Sequence, residues 1–201
     1  QVEDSGQETD LRPLFADYEF VGCDMRAGPG VDKVLNLHDI DLPDNTAGTV
    51  FLMDTLEHVE YPHQALSEVY RILKPGGVLI MSSVLDFFIH ETPNDFWRFT
   101  PDGFNSLLKP FSQKHVGWYG PDFFPQTLVA VAVKEGSYPF DDYLAHYTEW
   151  NKRFTHRVRQ IELNSMRDTL RELGELQYQR AACAAQITKP VLHSLRYCLS
   201  L

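Results

Sequence analysis

The stretch that most constrains the fold runs from Phe51 to Ser83, FLMDTLEHVEYPHQALSEVYRILKPGGVLIMSS. Thr49 to Met53 is short and apolar, with the β-branched and aromatic character of a buried strand. Asp54 to Pro62 is polar and ends on a proline, where a helix can begin. Leu66, Val69, Tyr70 and Leu73 then recur at helical spacing and form one apolar face, with Glu68 and Arg71 outside it. Lys74-Pro75-Gly76-Gly77 predicts the end of that helix, because proline cannot continue it and glycine takes the left-handed conformation freely. Val78 to Met81 predicts a second buried strand. Two apolar strands joined by a crossover helix make a βαβ unit, so they are expected to be parallel and buried on both faces.

A chain of 201 residues suits one domain with an appendage and is long enough to bury a core. The 43% hydrophobic content is globular rather than disordered. A net charge of -10 argues against nucleic acid as the main partner, since backbone binding needs clustered Lys and Arg. Cys23, Cys183 and Cys198 are odd in number and lack a CxxC pair, which predicts no disulfide framework and a reducing, cytoplasmic setting. Val78 to Ile89 is the most apolar stretch, but Ser82, Ser83 and Asp86 interrupt it, so no membrane span is expected. The acidic QVEDSGQETD lacks the apolar core of a signal peptide.

On either side of the central unit the signals are shorter. Tyr18 to Cys23 reads as a strand ending at Asp24, and RAGPG after it as a turn. Val31 to Leu37 alternates like a strand, and Asp39 to Thr46 reads as a loop. Beyond Ser83 comes an irregular aromatic segment with Phe87, Phe88, His90, Phe96, Trp97, Arg98 and Phe99. Thr100-Pro101-Asp102 predicts a helix start, with a hydroxyl cap, an early proline and an acid against the dipole. Lys114 to Tyr119 and Leu128 to Val133 are the last predicted strands. From 138 to 186, Tyr147, Trp150, Phe154, Val158 and Ile161, then Leu163, Met166, Leu170 and Leu173, predict one or two long amphipathic helices. Their apolar faces are expected to pack on the domain, on each other or on a second subunit, making a homo-oligomer one option.

Several polar residues fall where chemistry is expected. Asp24 ends a strand, the place where open α/β sheets put their ligands; the alternative is a turn-forming aspartate. Asp39-Ile40-Asp41 is a DxD, a weak signal for metal-nucleotide binding set against a plain Asx turn. Asp54, Thr55, Glu57 and His58 follow the fourth strand of the scheme below. His58 is a candidate general base; otherwise Glu57 and His58 fix the turn. Arg98 can meet a substrate carboxylate or phosphate, or form a salt bridge to Asp95 or Asp102. His90 and Trp97 are candidates for the wall of the same pocket. His58 and His63 lack an HExxH spacing, and no metal is expected.

LEHV, a helix and RILKPGGVLIMSS together resemble the second half of class I S-adenosylmethionine-dependent methyltransferases of the type 11 branch. FVGCDM is similar to that fold's second strand with its acidic end, HDIDLPDN to its third strand and loop, and NDFWRFTPDGF to a segment after its fifth strand. The resemblance covers roughly residues 18 to 134. It implies an α/β fold, with a Rossmann-like sheet that is mostly parallel and closes in a C-terminal antiparallel hairpin. Residues 1–136 would form that domain and 137–201 a helical extension. It implies S-adenosyl-L-methionine as cofactor, held by Asp24 at the ribose, Met25 beside the adenine, Asp39 and Ile40 around the ring, and Asp54 and Thr55 along the methionine part. A segment carrying His90, Trp97 and Arg98 would lie over the pocket and meet the acceptor. The family's E/D-x-G-x-G loop has no counterpart, since only Ser5-Gly6 precedes Tyr18. The chain therefore reads as a fragment lacking the first strand, or as a member that has given up the cofactor.

The function implied is methyl transfer to a small-molecule or glycan-like acceptor. A sulfonium is already activated, so positioning and water exclusion supply most of the acceleration and a base is needed only for a protonated acceptor. The alternative is a non-catalytic scaffold that works through its C-terminal helices. A dinucleotide-dependent enzyme is a third reading, one that the LEHV and LKPGG pair does not fit.

Overall fold

The computed structural model describes residues 12–90, 94–122, 124–149 and 151–153. The chain divides into two units, Gln1–Ala145 and His146–Leu201. In the second, residues 146–149 and 151–153 are helical, while the amphipathic pattern from Phe154 to Leu173, with Trp150, lies outside the described residues. Among the described residues no helix is long and apolar enough to cross a membrane.

Among the described residues up to 140, the first unit carries six strands and two α-helices in the order β1 (Cys23–Asp24), β2 (Lys33–Val34), β3 (Ala47–Leu52), α1 (Pro62–Ile72), β4 (Leu73–Val84), α2 (Pro101–Leu107), β5 (Gln113–Tyr119) and β6 (Thr127–Val133), and residues 141–145 are helical. Four strands form one sheet in the order β3-β4-β6-β5. β3 and β4 are parallel, and β6 runs antiparallel to both β4 and β5. Three strands thus point one way and only β6 opposes them. This is the α/β sheet that the resemblance implies, with its antiparallel hairpin at the C-terminal end. β1 and β2 form a separate parallel pair.

The βαβ unit has the expected connectivity, with two differences. β4 starts at Leu73, five residues before Val78, because the glycine turn is itself part of the strand. Gly76 takes a φ of +76° there, and its amide donates to the carbonyl oxygens of Lys134 and Glu135. The second difference concerns burial. β4 is largely buried, but in β3 Gly48 and Thr49 are exposed and only Leu52 is fully buried. Among the described residues β3 pairs with β4 alone, so it is an edge strand with no strand on its other flank. β1 and β2 keep only two residues each of the longer strands expected at 18–23 and 31–37.

α1 begins at Pro62, whose missing N–H costs nothing in a first turn. It buries Ala65, Leu66, Val69 and Ile72 against the sheet, while Leu73, expected on the helix, is instead the first residue of β4. The exposed side of α1 grips the loop that precedes β3. Glu68 accepts the Ile40 amide at 2.9 Å. Arg71 pairs with Glu68 and with Asp44, each at 2.8 Å, and donates to the carbonyl oxygens of Leu42 and Ile40. At the helix end Lys134 is buried, with its Nζ donating to Asn45 Oδ1 and to the carbonyl oxygens of Arg71 and Leu73. A cation at a helix C-terminus satisfies carbonyls that lack an intrahelical partner. Lys134, directly after β6, thereby ties that strand to the junction of α1 and β4.

The Glu68 carboxyl is held below its ordinary value of 4.5, first by the Arg71 hydrogen bond and then by the Ile40 amide, with burial opposing. A carboxyl depressed in the folded state contributes stability above its unfolded value and loses it as pH falls through the folded one. Glu68→Gln is therefore expected to flatten the acid limb of the stability curve below pH 4.5 and leave the neutral region flat. Acid titrations followed by circular dichroism would show this; identical acid limbs would remove the clamp from the account.

Candidate active site

Asp24 is exposed, in β1, with its position fixed by the loop behind it. Asp32 returns to Gly22, accepting its amide at 2.7 Å and the Arg12 guanidinium at 2.8 Å. Gly22 is needed for this approach: a Cβ there would lie 2.2 Å from the Gly30 carbonyl oxygen. Asp24 Oδ1 accepts the Arg26 amide at 2.8 Å, so the turn-forming role is present. Among the described residues that turn engages only Oδ1. Met25 beside it is 55% exposed, leaving an apolar surface next to the carboxylate.

Asp39 and Ile40 lie after β2 and separate into different roles. Asp39 is exposed, with its amide donating to the Asn36 carbonyl. Ile40 has a buried side chain, its amide on Glu68 and its carbonyl on Arg71. The backbone expected to hold an adenine ring at Ile40 is thus engaged by α1, and Asp39 is the member of the pair left open to solvent. His38 supports the same loop, accepting the Tyr61 amide at Nε2 over 3.1 Å.

Asp54 and Thr55 follow β3. Asp54 has a φ of +42°, a left-handed backbone that aspartate tolerates better than most residues. Ser82 on β4 holds it there, accepting its amide at 3.0 Å and donating to its Oδ1 at 2.7 Å. Such a conformation persists where surrounding bonds over-determine it, as at ligand sites. The Thr55 hydroxyl donates to the Met53 carbonyl.

The turn Leu56–His58 then brings Glu57 and His58 against the segment after β4. Glu57 is 1% exposed and accepts the Ser83 hydroxyl at 2.6 Å. Its carbonyl accepts the amides of Phe96 and Trp97. The Trp97 indole N–H donates to the Val59 carbonyl at 2.9 Å, with the ring 43% exposed. His58 Nδ1 contacts the Asn94 carbonyl, and His58 Nε2 lies 3.1 Å from His90 Nε2. The structure therefore joins His58 and His90, separated by 32 residues, into one pair.

Arg98 is spent on structure. Its five N–H groups go to Asp95 twice and to the carbonyl oxygens of Phe87, Phe88 and Trp97. The expectation that it meets an anionic acceptor gives way to the salt bridge with Asp95, because no donor is left over. The Asp95 carboxyl sits well below the usual carboxylate range, chiefly through Arg98, with burial opposing and His90 assisting.

Residues 17–81 match the model of the family described as "Methyltransferase domain". That span takes in β1 to α1 and most of β4, including Asp24, Asp39, Asp54 and His58. Over this span the chain is similar to methyltransferase domains. Two curated relatives are similar to it. A ubiquinone/menaquinone biosynthesis C-methyltransferase of Hydrogenovibrio crunogenus is 28% identical over 107 residues, 53% of this chain and 34% of that protein. A probable S-adenosylmethionine-dependent methyltransferase of Mycolicibacterium smegmatis is 33% identical over 81 residues, 40% of this chain and 27% of that protein. The chain thus spans about a third or less of the curated relatives it matches. Among solved structures, a SAM-dependent methyltransferase from Archaeoglobus fulgidus superposes with a TM-score of 0.49 and 14% identity, over 61% of this chain and 82% of that one.

Proposed function

We propose that this domain binds S-adenosylmethionine at the carboxyl ends of β1, β2 and β3 and transfers its methyl group to a small-molecule or glycan-like acceptor. The observation that carries this reading is the family match over 17–81 with exposed acids after successive strands, Asp24, Asp39 and Asp54. Asp24 would accept from the ribose hydroxyls, Met25 would cover one face of the adenine, and Asp39 would accept from its amino group. Asp54 and Thr55 would line the methionine portion. The cofactor supplies an activated methyl; the chain's own work is to hold it in line with the acceptor and keep water out. Trp97 and His90 would border the acceptor, and His58 would take a proton where the acceptor carries one. Arg98 acts on this site by fixing the segment that bears Trp97 and His90.

Calorimetric titration of the full chain with S-adenosylhomocysteine tests the reading. Micromolar binding is expected, and Asp24→Ala should weaken it roughly 10- to 100-fold, the effect of losing hydrogen bonds to a charged group. Wild-type binding that Asp24→Ala leaves unchanged would move the ribose elsewhere. No binding by the wild type would remove the cofactor from this chain.

A further inference from the structure

We propose that Glu57, His58 and His90 form a binding site for a divalent zinc-type cation. The argument starts from the protons. His58 Nδ1 faces the Asn94 carbonyl, which can only accept, so Nδ1 carries the hydrogen. His90 Nδ1 faces the Phe88 carbonyl at 3.2 Å and the Asp95 carboxylate at 3.4 Å, both acceptors, so it too carries its hydrogen. In the neutral rings both Nε2 atoms then carry lone pairs, and they lie 3.1 Å apart. Two lone pairs at that distance repel unless a positive charge lies between them.

A metal ion meets the requirement on three counts. With zinc–nitrogen bonds of about 2.0–2.1 Å, two imidazoles on a tetrahedral ion stand about 3.3 Å apart, close to what is found. The backbone carbonyls and Asp95 behind the Nδ1 atoms are the outer partners that orient a ligating histidine. The third ligand is Glu57, whose carboxylate oxygen lies within 4.8 Å of both ring nitrogens. Its burial leaves a negative charge that a cation would balance. Two nitrogens and an oxygen suit a first-row cation of the zinc type better than magnesium or calcium. Three protein ligands leave the fourth tetrahedral position for water or an acceptor oxygen. The site lies between the turn after β3 and the segment after β4, it stands whether or not the nucleoside reading holds, and with the ion bound His58 serves as its ligand rather than as a base.

Cobalt(II) added to the chelator-treated full chain is the probe. One ion per chain is expected, with the visible absorption of a tetrahedral site, lost on adding Zn²⁺. His58→Ala and His90→Ala should each weaken binding by more than about tenfold, the loss that removal of an outer partner alone can bring. His63→Ala, outside the cluster, should leave it unchanged. X-ray absorption on the cobalt-loaded wild type needs no variant and should show two imidazoles in the first shell. An all-oxygen shell, or wild-type affinity no greater than that of His58→Ala, would overturn the proposal and leave a shared proton as what joins the two rings.

Discussion

Phe104→Ala is expected to lower the unfolding free energy by about 3–5 kcal/mol, the range for emptying a buried phenylalanine site. Phe104 is fully buried in α2, its ring 5.4 Å from that of Phe99. It belongs to the apolar core that also holds Leu66 and Val69 of α1 and Leu79 and Met81 of β4. The helix that presents it is short and depends on its start: Thr100 Oγ accepts the Gly103 amide at 3.1 Å, and proline and Asp102 follow. Seven residues of helix have little stability of their own, so the core contact of Phe104 holds α2 in place. Urea denaturation should show a lower midpoint with an unchanged slope. Phe104→Leu, which keeps most of the volume, should cost much less. Equal losses for the two variants would mean that shape, not volume, governs this position.

The βαβ unit was legible because its signals are local: an apolar run, a helical period and a proline-glycine break within 33 residues. The hairpin of β5 and β6 and the cap at Thr100 were legible for the same reason. What escaped depended on distant partners. From composition β3 reads as a strand buried on both faces, and only the sheet order of the described residues makes it an edge. β4 runs through its glycines because Lys134 and Glu135, just after β6, supply carbonyls to Gly76, which no spacing rule reveals. Arg98 had two readings on sequence, and counting its donors decides between them. Lys134 looks like an ordinary residue after the last strand, yet three acceptors from two other segments enclose it. The pairing of His58 with His90 was invisible to a search for ligands on one helix, since one comes from the turn after β3 and the other from the segment after β4. Ile40 lies in the expected loop, but its backbone is occupied by Glu68 and Arg71, 28 and 31 residues away.

Asp95→Asn is expected to loosen the segment that borders the proposed acceptor site. The Asp95 side chain is 3% exposed and takes both arms of Arg98, with Arg98 Nη2 at 2.7 Å and the His90 amide at 2.8 Å. Asparagine keeps the size and loses the charge, leaving a guanidinium whose side chain is 23% exposed. A fully buried pair broken on one side costs several kcal/mol; partial access of water to Arg98 reduces this to about 2 kcal/mol. The reporters are the amides of Phe96 and Trp97, which donate to the Glu57 carbonyl, and of Phe99, which donates to Val84. Two kcal/mol corresponds to roughly 30-fold faster hydrogen exchange at these amides where they open locally. Amides in the pairing of β4 with β6 should keep their rates. Because the Asp95 carboxyl sits below the usual carboxylate range, the wild-type tie should survive mild acid and fail only when pH falls past that depressed value. Unchanged exchange in Asp95→Asn would mean that the backbone bonds to Glu57 and Val84 and the packing of Phe99 on Phe104 hold the segment without the ion pair. Faster exchange with unchanged S-adenosylhomocysteine affinity would assign the segment to the acceptor side of the site alone, since Asp24, Asp39 and Asp54 stand on other elements.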